Sequence, residues 1–257
     1  MYKIEPVEID KTLLHELDHG IWQFPSVHIM IGKIASGKST FIYNLINKIW
    51  YPAFQERIIL FSPTGKNDPI INGLIENDQI FCHFEEFNMQ ILDRVIETIA
   101  EDDDENNRYL IVFDDCMSQI PQTISIQGRL FNKYLCNFRH IPTEGKITLL
   151  FSIQKFSSLN NVLRANSHYI YLLGKSSEKE LKFYSEELNA IAGGSSDKFM
   201  ELYHEAKSGD KYNFAMLDFK KLRFLKNFDT LLYSENNEDN ENNENNNEDN
   251  NLEEIKE

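Results

Sequence analysis

The run Ile29-Met30-Ile31-Gly32-Lys33-Ile34-Ala35-Ser36-Gly37-Lys38-Ser39-Thr40 constrains this chain more than any other stretch. Gly32 to Ser39 fits G-x-x-x-x-G-K-[ST], a loop that wraps phosphate. Its flanks agree: Val27 to Ile31 is an apolar run of strand length, and Thr40 to Ile46 carries apolar residues at helical spacing. In such a strand–loop–helix frame the backbone N–H groups converge at a helix N-terminus, where the dipole favours negative charge. Gly32 and Gly37 permit backbone conformations that a side chain would block. Lys38 is expected to reach the β- and γ-phosphates and the Ser39 hydroxyl to hold Mg²⁺. Lys33, Ala35, Ser36 and Thr40 complete the expected nucleotide-binding set. The competing reading, a glycine turn ahead of an amphipathic helix, does not call for the whole pattern in this frame.

A second stretch fits the first. Tyr109-Leu110-Ile111-Val112-Phe113-Asp114-Asp115 is an apolar run ending in two acids, about 75 residues after the loop. A buried strand there would deliver Asp114 beside the phosphates to hold Mg²⁺, directly or through water. Asp115 is then the carboxylate that polarises an attacking water. Alone this pattern is weak, since many strands end in turn acids; behind a complete phosphate loop it gains weight. Ile147 to Ile153 reads as another buried strand ending on Gln154, an amide able to sense the γ-phosphate or position water.

The rest of the chain alternates strands and helices. Arg57 to Ser62, Gln79 to His83 and His168 to Leu173 read as strands, and Tyr212 to Asp218 as the last one. Helical spacing runs through Phe87–Ala100, Ile126–Phe138, Glu178–Ala190 and Ser196–Lys207, and Trp50-Tyr51-Pro52 reads as the end of the first helix. This alternation predicts an α/β fold with a largely parallel sheet flanked by helices. The expected organisation is a lead-in over 1–26, a nucleotide-binding domain over 27–218, a basic and aromatic segment over 219–233, and an acidic Asn/Glu-rich tail over 234–257. Lys220, Lys221, Arg223 and Lys226, interleaved with Phe219, Phe224 and Phe228, suit a helix or extended arm with its bases outward.

Composition excludes several classes. No apolar run approaches the ~18 residues of a membrane span, and Met1 to Pro6 lacks the apolar core of a secretory leader. Three scattered cysteines, Cys82, Cys116 and Cys136, form no zinc spacing and suggest free thiols. Net charge is −15, but residues 234–257 hold ten acids against Lys256, so −9 resides there and −6 on the remainder. Any nucleic-acid contact must come from a local basic cluster. The tail has too few apolar residues to offset its ordering entropy and is expected to be disordered, chiefly aiding solubility. His15-Glu16-Leu17-Asp18-His19 matches H-E-x-x-H, but Gly20 and Pro25 keep any helix there short, so no zinc site is expected. The acidic loop Glu101 to Asn107 reads as a solvated insertion.

Taken together, Gly32–Ser39, Ser62-Pro63-Thr64, Phe113-Asp114-Asp115, Arg139-His140, Gln154 and Arg164-Ala165-Asn166 resemble the viral genome-packaging ATPases of the FtsK/HerA superfamily, the poxvirus-type group most closely. The resemblance covers roughly residues 20–220, with Phe138 standing where that pattern has Gly. It implies a RecA-like core of the P-loop NTPase class, with the Gln154 strand between the loop strand and the acid strand. It further implies ATP and Mg²⁺ as cofactors, and hydrolysis coupled to pumping double-stranded DNA into a preformed capsid. The implied partners are that DNA, further copies of the chain in a homo-oligomeric ring, and a capsid protein at the packaging vertex. The implied location is the host cytoplasm, in the viral factory, or the virion. Arg139 and Arg164 are both candidates for an arginine inserted into a neighbour's site. A P-loop kinase of a small molecule and a nucleotide-gated, non-hydrolysing assembly module remain alternatives. A GTPase is disfavoured because Asn132-Lys133-Tyr134-Leu135 lacks the base-reading acid.

Overall fold

The computed structural model describes residues 22–102, 104, 106–121, 125–140 and 146–235, together with the backbone of His15–Glu16. The H-E-x-x-H run and the acidic tail beyond Glu235 thus lie, wholly or largely, outside the described residues.

Two short strands, β1 (His15–Glu16) and β2 (Gln23–Phe24), pair antiparallel. The main sheet contains β3 (Val27–Ile31), β4 (Ile58–Phe61), β5 (Cys82–Phe84), β6 (Tyr109–Asp114), β7 (Ile147–Ile153), β8 (Tyr169–Leu172), β9 (Ala215–Asp218), β10 (Arg223–Lys226) and β11 (Thr230–Ser234). Their order is β11-β10-β9-β8-β3-β7-β6-β4-β5. β3 pairs parallel with β8, and β4 parallel with both β5 and β6; β8 to β11 form an antiparallel extension. The strand ending at Gln154 therefore lies between the loop strand and the acid strand, as the resemblance implies. β3, β4, β6, β7 and β8 are buried along their whole lengths, which explains why they read as continuous apolar runs rather than alternating ones.

The chain divides into two compact units, Met1–Val27 with Tyr43–Leu149, and His28–Ile42 with Leu150–Glu257. In the first unit, a π-helical stretch (Leu45–Ile49) closes with Trp50 N–H donating to Leu45 O at 2.7 Å. The first helical run ends at Trp50, as expected, but Pro52 sits in the first turn of a new helix, α2 (Tyr51–Phe54), where its missing N–H costs no bond. Trp22, Phe24, Trp50 and Phe54 pack edge to face, with centroids 5.0–6.1 Å apart. α3 (Pro69–Glu76) and α4 (Met89–Ala100) start on Asp68 and Asn88, whose side chains accept from the first-turn N–H groups. α4 buries Leu92, Val95, Ile96 and Ile99, the expected stripe. α5 (Ile126–Asn137) buries Phe131 and Leu135. The strand expected at Gln79–His83 forms only at Cys82–Phe84. The turn before it uses Asp78 at φ 54°, in the left-handed region.

In the second unit, α1 (Lys38–Asn44) begins in the phosphate loop and runs on past the unit's edge at Ile42. α6 (Asn161–Ala165), α7 (Glu178–Glu187) and α8 (Ser196–Ala206) follow. α7 stops short of Ala190 and tightens into a 3₁₀ turn at Asn189–Ala192, which closes on Gly193 at φ 66°. Phe41, Tyr171, Phe214 and Phe228 form its aromatic centre. β9 is not the last strand. Residues read as a helix or arm instead fold as β10 and β11, so the bases do not all face outward. Arg223 donates to Asp218 Oδ2 from Nε at 3.0 Å and from a terminal nitrogen at 2.6 Å, and Asp218 is fully buried.

Candidate nucleotide site

The phosphate loop occupies the turn from β3 into α1, inside the second unit. Gly32 N–H donates to Ile153 O at 3.0 Å, Ser36 N–H to Lys33 O at 3.1 Å, and Phe41 N–H to Gly37 O at 2.9 Å. The loop reverses through two left-handed residues, Ala35 at φ 62° and Gly37 at φ 91°. At Ala35 that conformation costs roughly 1–2 kcal/mol, which the surrounding loop must hold. A Cβ placed on Gly32 would fall 2.1 Å from Ser36 Oγ and 3.1–3.2 Å from Ser36 Cβ and Leu173 Cβ, so a side chain there would displace the Ser36 hydroxyl and crowd the loop. Gly174, at φ 60° just after β8, meets the loop from another side: a Cβ there would come 2.8 Å from Ser36 Cβ. The sequence reading missed Gly174; its only signal was a lone glycine after an apolar run.

Lys38 is buried, and its ammonium donates to Gly32 O at 2.9 Å and more weakly to Lys33 O at 3.5 Å. Both partners are carbonyls of the loop itself, so the charge is carried without a carboxylate. Ser36 Oγ is buried with no hydrogen-bond partner. An unneutralised ammonium, an orphaned hydroxyl and a glycine-lined turn at a helix start together suit a polyphosphate. Ser39 and Thr40 open α1, half-buried and exposed respectively. Lys33 points out of the loop and pairs with Glu180 of α7 at 3.4 Å. Burial works against charge on Glu180, but hydrogen bonds from Ser177 and the Lys33 ammonium hold its carboxyl below the usual range.

The acid pair lies in the first unit. Asp114 is the last residue of β6 and is buried; Ser62, which follows β4, donates its hydroxyl to Asp114 Oδ2 at 3.0 Å. A second group orienting a buried carboxylate is the arrangement a metal-binding acid needs. Ser62 belongs to the Ser-Pro-Thr run, so a signal for it was present. Asp115 takes a left-handed backbone at φ 49°, which turns its side chain out of the strand's alternation. Burial first, then the charges of Asp114 and Asp115, push the Cys116 thiol up to about 12. That thiol is inert as a nucleophile near neutral pH.

The remaining predicted residues differ sharply. Gln154 is exposed at the end of β7. Arg164 is locked: it pairs with Glu187 at 3.7 Å, bonds Asn161 Oδ1, and lies over the rings of Phe156 (5.7 Å) and Phe183 (5.4 Å). Arg139 is exposed, its guanidinium lying over the adjacent Phe138 ring at 5.9 Å. Phe138 itself is buried with helical angles, so the position does not require the glycine of the family pattern. No cluster of three or more potential metal-ligating side chains occurs among the described residues. The acidic loop instead holds itself: Asp102 accepts from Asn107 and Tyr109, which lowers its carboxyl to about 2.

The crystal structure of B204, the DNA-packaging ATPase from Sulfolobus turreted icosahedral virus, is similar at a TM-score of 0.58 and 15% identity, covering 78% of this chain and 96% of that one. The genome-packaging NTPase B204 from Sulfolobus turreted icosahedral virus 2, in complex with ATP-γ-S, matches at 0.55 and 15%, over 78% and 95%. Its complex with AMP matches at 0.57 and 13%, over 78% and 96%. The fold is that of a P-loop NTPase. No family model and no curated protein sequence matches the chain. No helix among the described residues is long and apolar enough to cross a membrane.

Proposed function

We propose that this protein is a Mg²⁺-dependent ATPase motor of the FtsK/HerA genome-packaging kind, which drives double-stranded DNA into a preformed capsid as a ring of identical copies. The observation that carries this reading is the insertion of β7, ending in Gln154, between the loop strand and the acid strand. It is supported by an intact Lys38 whose charge meets loop carbonyls, and by the likeness to B204, a DNA-packaging ATPase.

On this reading the loop N–H groups and Lys38 bind and orient the triphosphate, and Ser39 with Asp114 would hold Mg²⁺, which would supply charge neutralisation. Ser62 keeps the Asp114 carboxylate turned for that role. Asp115 accepts the proton of the attacking water and Gln154 positions that water. Arg139, exposed and uncommitted, is the arginine offered to a neighbouring copy. Arg164, held by Glu187 and two rings, is structural. The test is translocation: with ATP and Mg²⁺ the protein should displace a third strand annealed to linear duplex DNA. ATP turnover that never displaces the third strand, on any duplex length or with capsid added, would exclude a motor.

A further inference from the structure

A cavity of about 350 Å³ adjoins the phosphate loop within the second unit, lined by Lys33, Lys155, Ser157, Lys179, Glu180 and Phe183, with Ser177 and Tyr184 completing the wall. Its one carboxylate, Glu180, is matched by Lys33. Lys155 and Lys179 are exposed and have no ion-pair partner among the described residues, so the cavity presents two unmatched ammonium groups beside the Ser157 hydroxyl. That volume exceeds what one small anion fills and falls at the lower end of ligand-sized pockets, which begin near ~300 Å³. The chemistry calls for an extended ligand bearing several carboxylates or phosphates.

The chain carries such a ligand. Residues 236–257 hold nine acids and one base, a charge of −8 over 22 residues. They follow β11, whose Tyr233 reaches the 3₁₀ turn at Gly193 and stacks under Lys198 at 3.9 Å. That turn directly continues α7, and the cavity lies along the N-terminal half of the same helix. A ten-residue helix is about 15 Å long, whereas 22 extended residues reach roughly 70 Å. Attachment also holds the segment at an effective concentration on the order of millimolar.

We infer that the basic cavity beside the phosphate loop is a docking site for the acidic segment 236–257 of the same chain, with Lys155 and Lys179 as its principal contacts. Because Lys33 belongs to both loop and cavity, docked carboxylates sit next to the nucleotide's own negative charge and compete with any nucleic acid for these lysines. The interaction is electrostatic and weakens as salt shortens the Debye length.

The test is zero-length carbodiimide cross-linking of the full chain at low salt, read by mass spectrometry. Cross-links from Lys155 and Lys179 to acids of 238–257 should exceed those from Lys48 and Lys133, exposed lysines elsewhere, by roughly fivefold or more. In the Lys155→Ala/Lys179→Ala chain, the yield from Lys33 to the same acids should fall several-fold. Cross-links spread evenly over exposed lysines, or a Lys33 yield unchanged in the double variant, would overturn the proposal.

Discussion

Two cations in the second unit, Lys38 and Arg223, show how one kind of charge serves two ends. Arg223 is answered by a carboxylate: Asp218, fully buried, takes two of its N–H donors and also accepts from the backbone of Lys220 and Lys221. Lys38 is buried as well, yet its ammonium donates to the carbonyls of its own loop. A carboxylate there would cancel the charge before a phosphate arrived. The first cation ties a hairpin down; the second stays available. The same split recurs between Arg164, held by Glu187 and two rings, and exposed Arg139.

The sharpest way to break this contrast is to remove each charge and ask which property falls. Asp218→Ala strands Arg223 and uncaps the following turn, and should cost about 3–5 kcal/mol of stability in urea unfolding. Nucleotide affinity per folded molecule should stay unchanged. Gly32→Ala drives a methyl into Ser36 and should weaken ATP binding on the order of tenfold to a hundredfold by titration. Gly174→Ala should weaken it at least as much, since its Cβ would meet Ser36 Cβ at 2.8 Å, which cannot swing away, and its backbone is left-handed. For the arginines, Arg164→Ala should lower the melting temperature through lost cation–π and ion-pair contacts worth about 1 kcal/mol, and Arg139→Ala should leave it unmoved while depressing turnover.

The smallest expected effect concerns His28, which precedes the loop on β3. It is fully buried, stacks on Tyr169 at 4.8 Å, and bonds Tyr171 Oη at 2.9 Å. Burial, then the charges of His168 and Lys220, hold its pKa well below 6.5. The unfolded chain therefore takes up a proton near pH 6.5 that the folded chain refuses, and stability falls as pH drops below that value. Comparing unfolding at pH 7.5 and 5.5 in the native chain and in His28→Gln should show the extra acid loss only in the former.

The loop and its frame were legible because every determinant is local: a buried strand, two glycines, and Lys-Ser opening a helix. Asp114 was legible as the end of an apolar run, whereas its partner Ser62 lies 52 residues away and only the fold joins them. The hairpin of β10 and β11 was hidden for a chemical reason. Its turns place Leu222 (φ 48°) and Asn227 (φ 56°) in the left-handed region, so no Gly or Pro marks them. Without those signals, alternating bases and aromatics read as an amphipathic arm. Arg164 and Arg139 looked equivalent in sequence because the partners that separate them, Glu187, Phe156 and Phe183, come from other elements.

The most direct test of the account is steady-state ATP hydrolysis with Mg²⁺, with and without long double-stranded DNA, in the intact chain and in Lys38→Ala. Turnover should rise with DNA and fall by about 10³-fold in the variant, with its melting temperature preserved. Nucleotide binding with no turnover under any condition, or turnover indifferent to the loss of Lys38, would contradict it.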